Sequence, residues 1–494
     1  MSPTTPFSVP FRGYAVLAAL LGLGLAGCSL TPTYVRPSVL VPATFGAPTA
    51  TGSPAPDVQR IELTEQERNF AHTLAPGADL EAVLQAGLAH NADYRIAALT
   101  VERARAELRI QRASRVPQVD LTAQAQRQQF DDEALNARYQ QDLKTVGVGI
   151  GNFEVDLFGR VKAMSTAARE RFLASEHGHE ALRGAILAEI ARAYVEEQTA
   201  AADQTQAGEL NEVAQALLKI MAARQHVGVA AVDEVNAARA AADQAQVAWQ
   251  QATDRQRAAL RALQILVGYD VVPQRIAMSE LAAATQAPAF LRNLDSTILL
   301  TRPDVRQAES ELRAANADIG AARAAFFPSI SLSTSIGTAS ESLDGLFDSG
   351  SRSWSFMPQL SLPIFDLGRR RANLDLAHLR KRTEIIEYER AIQSAFRDVA
   401  DALDAMQTTT SAQARSAQKA HDSQQRAARA QLRAEQGLQE PSLSLDARAE
   451  AVRATQSDLT AIGDRARAHI ALFAALYGVE LAPPAAAPAV AHHP

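Results

Sequence analysis

Two hydrophobic patterns alternate along this chain. In short stretches apolar residues occupy every second position, as in Val119, Leu121, Ala123 and Ala125 and again in Ile330, Leu332 and Ile336. A period of two predicts β-strands with one apolar and one polar face. A second strand follows each of them, around residues 145–150 and 353–356, which predicts two hairpins over about 118–157 and 329–366. The polar connections of the hairpins cover residues 131–141 and 341–352.

The longer segments predict helices. Arg160–His226 and residues 369 to about 436 contain no proline, and helices of about 67 residues are roughly 100 Å long. A second helix follows each of them, over about Val232–Val267 and about 442–477. The apolar stripes of these helices are narrow and rich in alanine, which predicts a thin-walled bundle with water on two sides. A long solid coiled coil is the alternative, and the hairpins argue against it.

The whole pattern occurs twice. The matched pairs of the two copies include Asp93 with Asp304, Pro117 with Pro328, Gly159 with Gly368 and Gly228 with Gly437. The prolines end the helices before the hairpins, because proline disfavours helical geometry in the residue before it. Copies of about two hundred residues are too long for solenoid units and indicate a duplicated unit with pseudo-symmetry. We place repeat 1 at 79–270, a connector at 271–296 and repeat 2 at 297–478.

The strands have the length of membrane-crossing strands. A transmembrane β-strand takes about 9–11 residues and carries an apolar face toward lipid. The edge of a soluble β-sandwich gives the same pattern, so the strands alone leave both interpretations open.

The N-terminus predicts an exported lipoprotein. Residues 14–26 are apolar and follow Arg12, and such a stretch is too short to span a bilayer but suits a signal peptide, here residues 1–27. The sequence LAGC at 25–28 looks like a lipobox, and Cys28 is the only cysteine. Lipidation explains a lone cysteine in an exported protein, the alternative being a chance cysteine after an ordinary signal. Ser29 resembles the residue that directs such lipoproteins to the outer membrane.

The composition near the two ends of the chain predicts a tether and a tail. Residues 28–78 begin with a stretch rich in proline and glycine, over 31–53, that predicts an extended tether. Residues 479–494 are rich in alanine and proline and are expected to be a disordered tail. The formal net charge of −6 offers no basic footprint for nucleic acid.

Candidate chemistry is sparse. His177 and His179 are two residues apart and therefore point to different faces of a helix, so no metal site is predicted. The glycine run at 147–151 lacks the strand-before, helix-after context of a phosphate loop, and small residues on the inner side of a strand are the preferred interpretation. Residues 369–371 are three arginines that open a helix, where they hold a sheet-to-helix junction or are solvated. We expect no catalytic residue, no enzyme activity and no cofactor other than a covalent lipid at Cys28.

Several motifs resemble those of a known family. They are LAGC (25–28), TYVRP (33–37), FEVDLFGR (153–160), RPDVR (302–306), AARAAFFPSI (321–330) and LPIFDLGR (362–369). Together they resemble the outer membrane factors of tripartite efflux pumps, in the OprM/NodT-like lipoprotein branch of the TolC-like family, over nearly the whole chain. The resemblance implies a mainly α fold with a membrane β-barrel portion. It further implies a homotrimer with a twelve-stranded β-barrel, a long periplasmic α-barrel and an equatorial collar.

The resemblance also implies a closed periplasmic tip near the turn glycines. Asp446, nine residues after Gly437, matches an acid that the family often has there, with a solvated helix acid as the alternative. The OprM-like branch has a leucine five residues after this glycine, where this chain has Ser442. In repeat 1 the corresponding turn carries Asp233 and Glu234.

These inferences converge on a passive exit duct of a tripartite efflux pump in the outer membrane. The implied partners are two further copies of the chain, a periplasmic adaptor (membrane fusion protein), an inner-membrane pump and outer-membrane lipid. A periplasmic lipoprotein scaffold or spacer without a pore is the alternative function. An adaptor subunit would require a lipoyl-like β domain, and no such segment lies between the predicted helices.

Overall fold

The computed structural model describes residues 30–36, 61–77, 79–139, 141–268, 273–281 and 296–479. The chain divides into two units, residues 1–52 and 53–494. Of the first unit only residues 30–36 are described, and they are exposed and form neither helix nor strand. The signal peptide, Cys28, most of the tether and residues 480–494 lie outside the described residues. All helices and strands of the described residues belong to the second unit.

The described elements follow one another in a fixed order. They are α1 (Glu65–Leu74), α2 (Leu80–His90), α3 (Ala92–Ala113), β1 (Val119–Gln128), α4 (Glu133–Tyr139), β2 (Gln141–Val155), α5 (Arg160–His226), α6 (Val232–Val267), α7 (Pro303–Ala324), β3 (Ser329–Ser340), β4 (Arg352–Ser361), α8 (Arg369–Glu435) and α9 (Pro441–Ala475). Two 3-10 helices, Ser296–Thr301 and Asp344–Phe347, complete the set. The order α3-β1-β2-α5-α6 recurs as α7-β3-β4-α8-α9, which confirms the predicted two-repeat fold.

The two long helices are equal in length. α5 and α8 each contain 67 residues and begin after glycines with left-handed backbone, Gly159 at φ 76° and Gly368 at φ 83°. These glycines have no side chain to cap the helix. An upstream acid does so instead, since Asp156 accepts a hydrogen bond from the Lys162 amide at 2.7 Å and Asp366 one from the Arg370 amide at 3.1 Å. A carboxylate is favourable at the positive end of a helix dipole.

The helices pack side by side in a layer. α5 contacts α3, α6, α7 and α9, whereas α8 contacts α7 and α9. The neighbour order is therefore α6–α5–α9–α8 along one part of the layer and α3–α5–α7–α8 along the other. The buried residues of α8 are Ala377, Ala395, Ala402, Met406, Ala420 and Ser423. Such small side chains let the helices approach closely and keep the layer one helix thick.

The main core lies around the middle of α5. There α1, α2 and residues 273–281 pack on α5, α6 and the end of α9, and we call this region the collar. Leu74, Leu84, Leu88, Ile190 and Tyr194 are fully or almost fully buried in it. Among the described residues, no helix is both long enough and apolar enough to cross a membrane.

Candidate functional site

The four strands form one antiparallel sheet in the order β1-β2-β3-β4. Its register places Leu121, Val148, Ile336 and Trp354 in one row across the sheet. The neighbouring row contains Asp120, Gly149, Ser335 and Ser355. Directly paired residues point to the same side and successive residues to opposite sides, so one face is apolar and the other polar, as predicted.

The apolar face is uncovered in the protomer. Leu121 is 76% exposed, Ile336 65% and Trp354 78%. An apolar face of this extent is not left in water and indicates contact with lipid or protein.

A β-bulge keeps this face continuous. Ile150 pairs with Thr334, and the next pair is Phe153 with Leu332, so β2 has one residue more than β3 between them. If β2 continued with strict alternation through residues 151 and 152, Phe153 would point to the polar side. Asn152 supplies the bulge with φ 51°, a conformation that asparagine tolerates better than most residues, and its amide donates to Ser333 Oγ at 3.0 Å. The break in alternation after Ile150 is visible in the sequence but was not predicted as a bulge.

The glycine run belongs to the polar face. A Cβ added to Gly147, Gly149 or Gly337 would collide with the backbone of the adjacent strand. The strands are therefore closest on the polar side, and the sheet curves with that side inward. This placement within β2 agrees with the preferred interpretation of residues 147–151 and not with a phosphate loop.

The hairpin connections are more ordered than their polar composition suggested. The first contains α4, and the second contains the 3-10 helix Asp344–Phe347. Lys144 of β2 ties the second connection to the sheet, since its ammonium donates to the Glu341 carbonyl at 2.5 Å and to Asp142, also of β2, at 2.9 Å.

Arginines hold the junctions between sheet and helices. Arg160 donates to Glu154 at 2.8 Å. Arg370 pairs with Asp366 at 3.1 Å, donates to the Pro363 carbonyl at 2.8 Å, and lies with its guanidinium carbon 5.9 Å from the centre of the Phe326 ring. Of the three arginines at 369–371, the middle one is the junction residue, and the other two are exposed.

A buried carboxylate organises the collar. Glu67 is fully buried and accepts hydrogen bonds from Arg183 at 2.7 and 2.8 Å, from Tyr477 at 2.8 Å and from the Thr64 amide at 2.7 Å. Arg183 also donates to Tyr94 at 3.1 Å. Burial raises the pKa of Glu67, but the bonds from Arg183, Thr64 and Tyr477 outweigh it and hold the pKa below its usual range. This network was not predicted, although Thr64 and Glu67 have the spacing of a helix capping box.

A second buried carboxylate fixes the connector between the repeats. Glu197 is fully buried and pairs with Arg275 at 2.7 Å, while Gln256 donates to it at 3.1 Å. The neighbouring Gln198 donates to the Gln274 carbonyl at 2.9 Å. Residues 273–281 are thus attached to α5 directly, and Glu197 links them to Gln256 of α6.

Burial lowers the pKa of one histidine of α5, His179, and of one histidine of α9, His469. His179 stacks on Tyr94 with 4.7 Å between ring centres, and burial and Arg183 lower its pKa. Burial, with a smaller effect of Arg465, lowers the pKa of His469 to about 4. No group of three or more potential metal ligands occurs in the described part of the chain.

The predicted gate residues lie at the turns of the two helix pairs. Ser442 is 6% exposed and faces its own protomer, whereas Asp233 and Asp446 are exposed. Glu234 accepts from the Ala231 amide at 2.9 Å and so caps α6. Asp446 makes no hydrogen bond or ion pair within the described part of the protomer. Whether these four residues close a duct stays a prediction.

Ion pairs between the repeats were not predicted. Arg448 of α9 donates to Glu209 of α5 at 2.8 Å. Arg224, at the end of α5, pairs with Glu440, which precedes α9. We call these two pairs the turn pairs. They hold the turn of repeat 1 beside the turn of repeat 2.

Comparisons with known proteins agree with this architecture. The family model described as "Outer membrane efflux protein" matches residues 83–269 and 294–478. The chain is 39% identical over 401 residues to outer membrane protein OprJ of Pseudomonas aeruginosa, covering 80% of this chain and 81% of OprJ. It is 37% identical to the solvent efflux pump outer membrane protein SrpC of Pseudomonas putida, covering 95% and 98% of the two chains. The crystal structure of the open state of the Neisseria gonorrhoeae MtrE outer membrane channel superposes with a TM-score of 0.69 at 32% identity, over 91% of this chain and 98% of that one.

Proposed function

The chain belongs to the outer membrane efflux protein family and is an outer-membrane efflux channel, and we propose that it works as a homotrimeric exit duct. The observation that carries this proposal is the sheet, which has an exposed apolar face, a polar inner face and two unpaired edges. Three such sheets joined edge to edge would form a closed barrel of twelve strands, with the polar face toward the lumen. Closure removes the unpaired backbone groups that no membrane-spanning sheet leaves in lipid.

The trimer would also complete the helix layer. α8 lies at one edge of the layer and carries an exposed apolar stripe of Leu376, Leu379 and Ile386. α3, at the opposite edge, exposes Ile96, Leu99 and Ile110. We propose that α8 of one protomer packs on α3 and α6 of the next, because exposed stripes at helical spacing are typical of helix–helix contacts.

The trimer is tested with Leu379→Glu, which places a charge in the proposed contact. The variant should lose the trimer in size-exclusion chromatography with light scattering in detergent. Leu343→Glu is the matched control, because Leu343 is also exposed but lies in a hairpin connection. A trimeric Leu379→Glu variant, or a monomeric wild type that conducts ions, would contradict this packing.

Substrate would pass through the lumen without a chemical step. The related channels are named for solvent, toluene and antibiotic efflux at similar identities, which supports the proposal that the attached pump and not the duct selects the cargo. With its cognate pump and adaptor, the chain should restore drug resistance in a host that lacks its own efflux channel. Leu379→Glu should not restore it.

We propose that the turn pairs and Asp446 keep the periplasmic end closed. The turn pairs link α5 to α9, the seam between the two helix pairs of one protomer, so opening along this seam would break them. Each exposed pair contributes only about 0.2–1 kcal/mol. The double variant Glu209→Ala/Glu440→Ala removes both turn pairs. It should therefore raise the open probability of the channel several-fold in single-channel records. Glu450→Ala is the control, because Glu450 pairs with Arg453 on the same helix. Equal records for the double variant and the control would remove the turn pairs from the gate.

Asp446→Ala separates two roles of this acid. Higher conductance would place Asp446 in the closure, and reduced cation selectivity at unchanged conductance would place it at the mouth. A channel equal to wild type in both respects would leave it a solvated helix acid.

The turns themselves are the proposed docking site for the adaptor. Val227, Val229 and Leu438 flank the turn glycines and are exposed, and exposed apolar side chains at a tip favour a protein partner. Crosslinking from Leu438 in intact cells should capture the adaptor, and a crosslinker at Leu343 should not.

We further propose that Cys28 carries the lipid anchor. Mass spectrometry of the mature N-terminus should find an acylated Cys28 as its first residue. An unmodified start at another residue would overturn this assignment.

A further inference from the structure

The helix ends that face the sheet are basic, although the chain as a whole is acidic. We define the rim as residues 106–118, 156–168, 317–328 and 362–376, which lead into or out of the four strands. The rim contains nine arginines and lysines against five acids, whereas the whole chain has a formal charge of −6. Positive charge is therefore concentrated at one level of the molecule.

Most of this positive charge has no partner in the protein. Arg160, Arg370 and Arg371 pair with nearby acids. The remaining cations are exposed and form no side-chain hydrogen bond or ion pair within the described part of the chain, and they are Arg109, Arg112, Arg115, Lys162, Arg323 and Arg369. Lys162 and Arg323 lie on α5 and α7, which have helices of the same protomer on both sides. The neighbouring protomers of a trimer would therefore not cover these two cations.

Exposed phenylalanines accompany these cations. Phe158 and Phe327 stack with 4.9 Å between ring centres and are about half exposed. Phe326 is also exposed and lies under the guanidinium of Arg370. The last apolar row of the sheet consists of Val155, Ile330 and Leu360. Phe158 follows this row after β2, and Phe326 and Phe327 precede it before β3. Aromatic side chains at the end of a lipid-facing apolar band lie at the level of the head groups.

We propose that the rim binds the head groups of anionic phospholipids in the periplasmic leaflet of the outer membrane. Exposed cations at head-group level attract anionic lipid, and a guanidinium can hold a phosphate through two parallel hydrogen bonds. The acyl chains of the bound lipid lie against the phenylalanines and the apolar face of the sheet. This inference rests on the proposed function, since it requires the sheet to span the outer membrane.

The test measures lipid selectivity of the full-length protein in phosphatidylcholine vesicles. Electron spin resonance of spin-labelled lipids gives the preference of the protein for phosphatidylglycerol over phosphatidylcholine. One cation at the surface should produce a preference of about fivefold, which should decline as salt is added. The variant R112Q/K162Q/R323Q/R369Q, with one substitution at each helix end, removes four of the six unpartnered cations and should lower the preference several-fold.

The control is R239Q/R415Q/K419Q/R429Q, which removes the same number of exposed arginines and lysines far from the rim. It should retain the wild-type preference. A wild type that conducts ions in phosphatidylcholine bilayers but shows no lipid preference would overturn the rim proposal alone, whereas a wild type that forms no pores would overturn the proposed function. A rim variant with altered ion selectivity and unchanged lipid preference would show that the cations line the lumen, and would also overturn the proposal.

Discussion

Glu67 is a single carboxylate on which three separate parts of the chain converge. It joins the start of α1 to Arg183 in the middle of α5 and to Tyr477 just after α9. Glu67 and Tyr477, which are 410 positions apart in the sequence, are thus joined by one buried hydrogen bond. Removing one partner of a buried charge pair leaves the other charge uncompensated, which is costly.

Glu67→Gln should therefore loosen the collar. Loss of the buried charge leaves Arg183 without its counter-ion, and we expect a destabilisation of about 3 kcal/mol. Hydrogen exchange should become faster over residues 62–74 and around Tyr477. Glu65→Gln serves as the control, since Glu65 is exposed in the same helix, and equal exchange in the two variants would contradict the role of Glu67.

Acid should weaken the collar in two steps. The pKa of His469 is 6.5 when unfolded and about 4 in the fold, so between these values only the unfolded state takes up a proton. Stability should fall as the pH decreases from 6.5 to about 4, by up to about 1.4 kcal/mol per pH unit. The pKa of Glu67 is lowered from 4.5, so its stabilisation is present above pH 4.5 and is lost as the pH falls through the folded value.

His469→Gln isolates the first step. Thermal unfolding followed by circular dichroism between pH 7 and 4.5 should show a weaker pH dependence than in wild type. His72→Gln replaces an exposed histidine and should retain the full dependence. The same slope in both variants would assign the acid sensitivity to other groups.

None of these buried residues was predicted from the sequence, although one local signal for them was present. Thr64 and Glu67 carry a local signal, the capping-box spacing, so the start of α1 was predictable. The partners Arg183 and Tyr477 carry none, because they are brought to Glu67 only by packing of distant helices. Glu197 and Arg275 form the corresponding pair at the connector and were missed for the same reason.

Among the elements, β2 shows how a strand crosses an irregularity without losing its apolar face. The bulge at Asn152 shifts the alternation by one residue, so Phe153 and Val155 continue the side begun by Val146, Val148 and Ile150. A slip of one residue exchanges the two faces of a strand, so the bulge decides which side chains reach lipid.

Replacing Asn152 by valine should therefore impair insertion into bilayers. A β-branched residue strongly disfavours the positive φ found at Asn152, and a regular strand with the same number of residues would direct Phe153 and Val155 into the lumen. The fraction folded into vesicles, measured by the heat-modifiable shift on gels, should decline. Asn152→Gly retains the positive φ that the bulge needs and should fold like wild type. An Asn152→Val variant that inserts normally would contradict this role of the bulge.

Two glycines in the helices differ in how much space a side chain would have. A Cβ at Gly184 of α5 would collide with the ring of Tyr477, whereas a Cβ at Gly320 of α7 would make an ordinary contact with Ala163. Gly184→Ala should lower the unfolding temperature, because Tyr477 cannot move without disturbing its bond to Glu67. Gly320→Ala should raise stability by up to about 1 kcal/mol, since alanine favours the helix. Equal effects at the two positions would show that α5 and α9 are less closely packed.

The boundaries of the long helices were predictable because proline, glycine and the apolar period all change at their ends. The predicted second helix of repeat 2 began one residue late and ended two residues late, over 442–477 instead of Pro441–Ala475. Helix ends depend on the last few hydrogen bonds and are seldom fixed by sequence alone. α4 was missed because its seven residues, EALNARY, are too few to show an apolar period within a hairpin connection.

In the whole molecule, the duplication gives two hairpins and two helix pairs that share one layer. One protomer leaves both edges of its sheet and both edges of its helix layer open. The sequence motifs predicted the family and the two-repeat fold. The turn pairs could not be predicted, because Arg448 and Glu209 lie in different repeats and meet only when α5 packs on α9.

The central claim is that this chain forms a water-filled pore, and single-channel recording in planar bilayers tests it most directly. Purified full-length protein should give discrete conductance steps, with a higher open probability in the variant that lacks both turn pairs. Folded, trimeric protein that inserts into the bilayer and gives no conductance steps, in wild type or in that variant, would contradict the account and favour a scaffold without a pore.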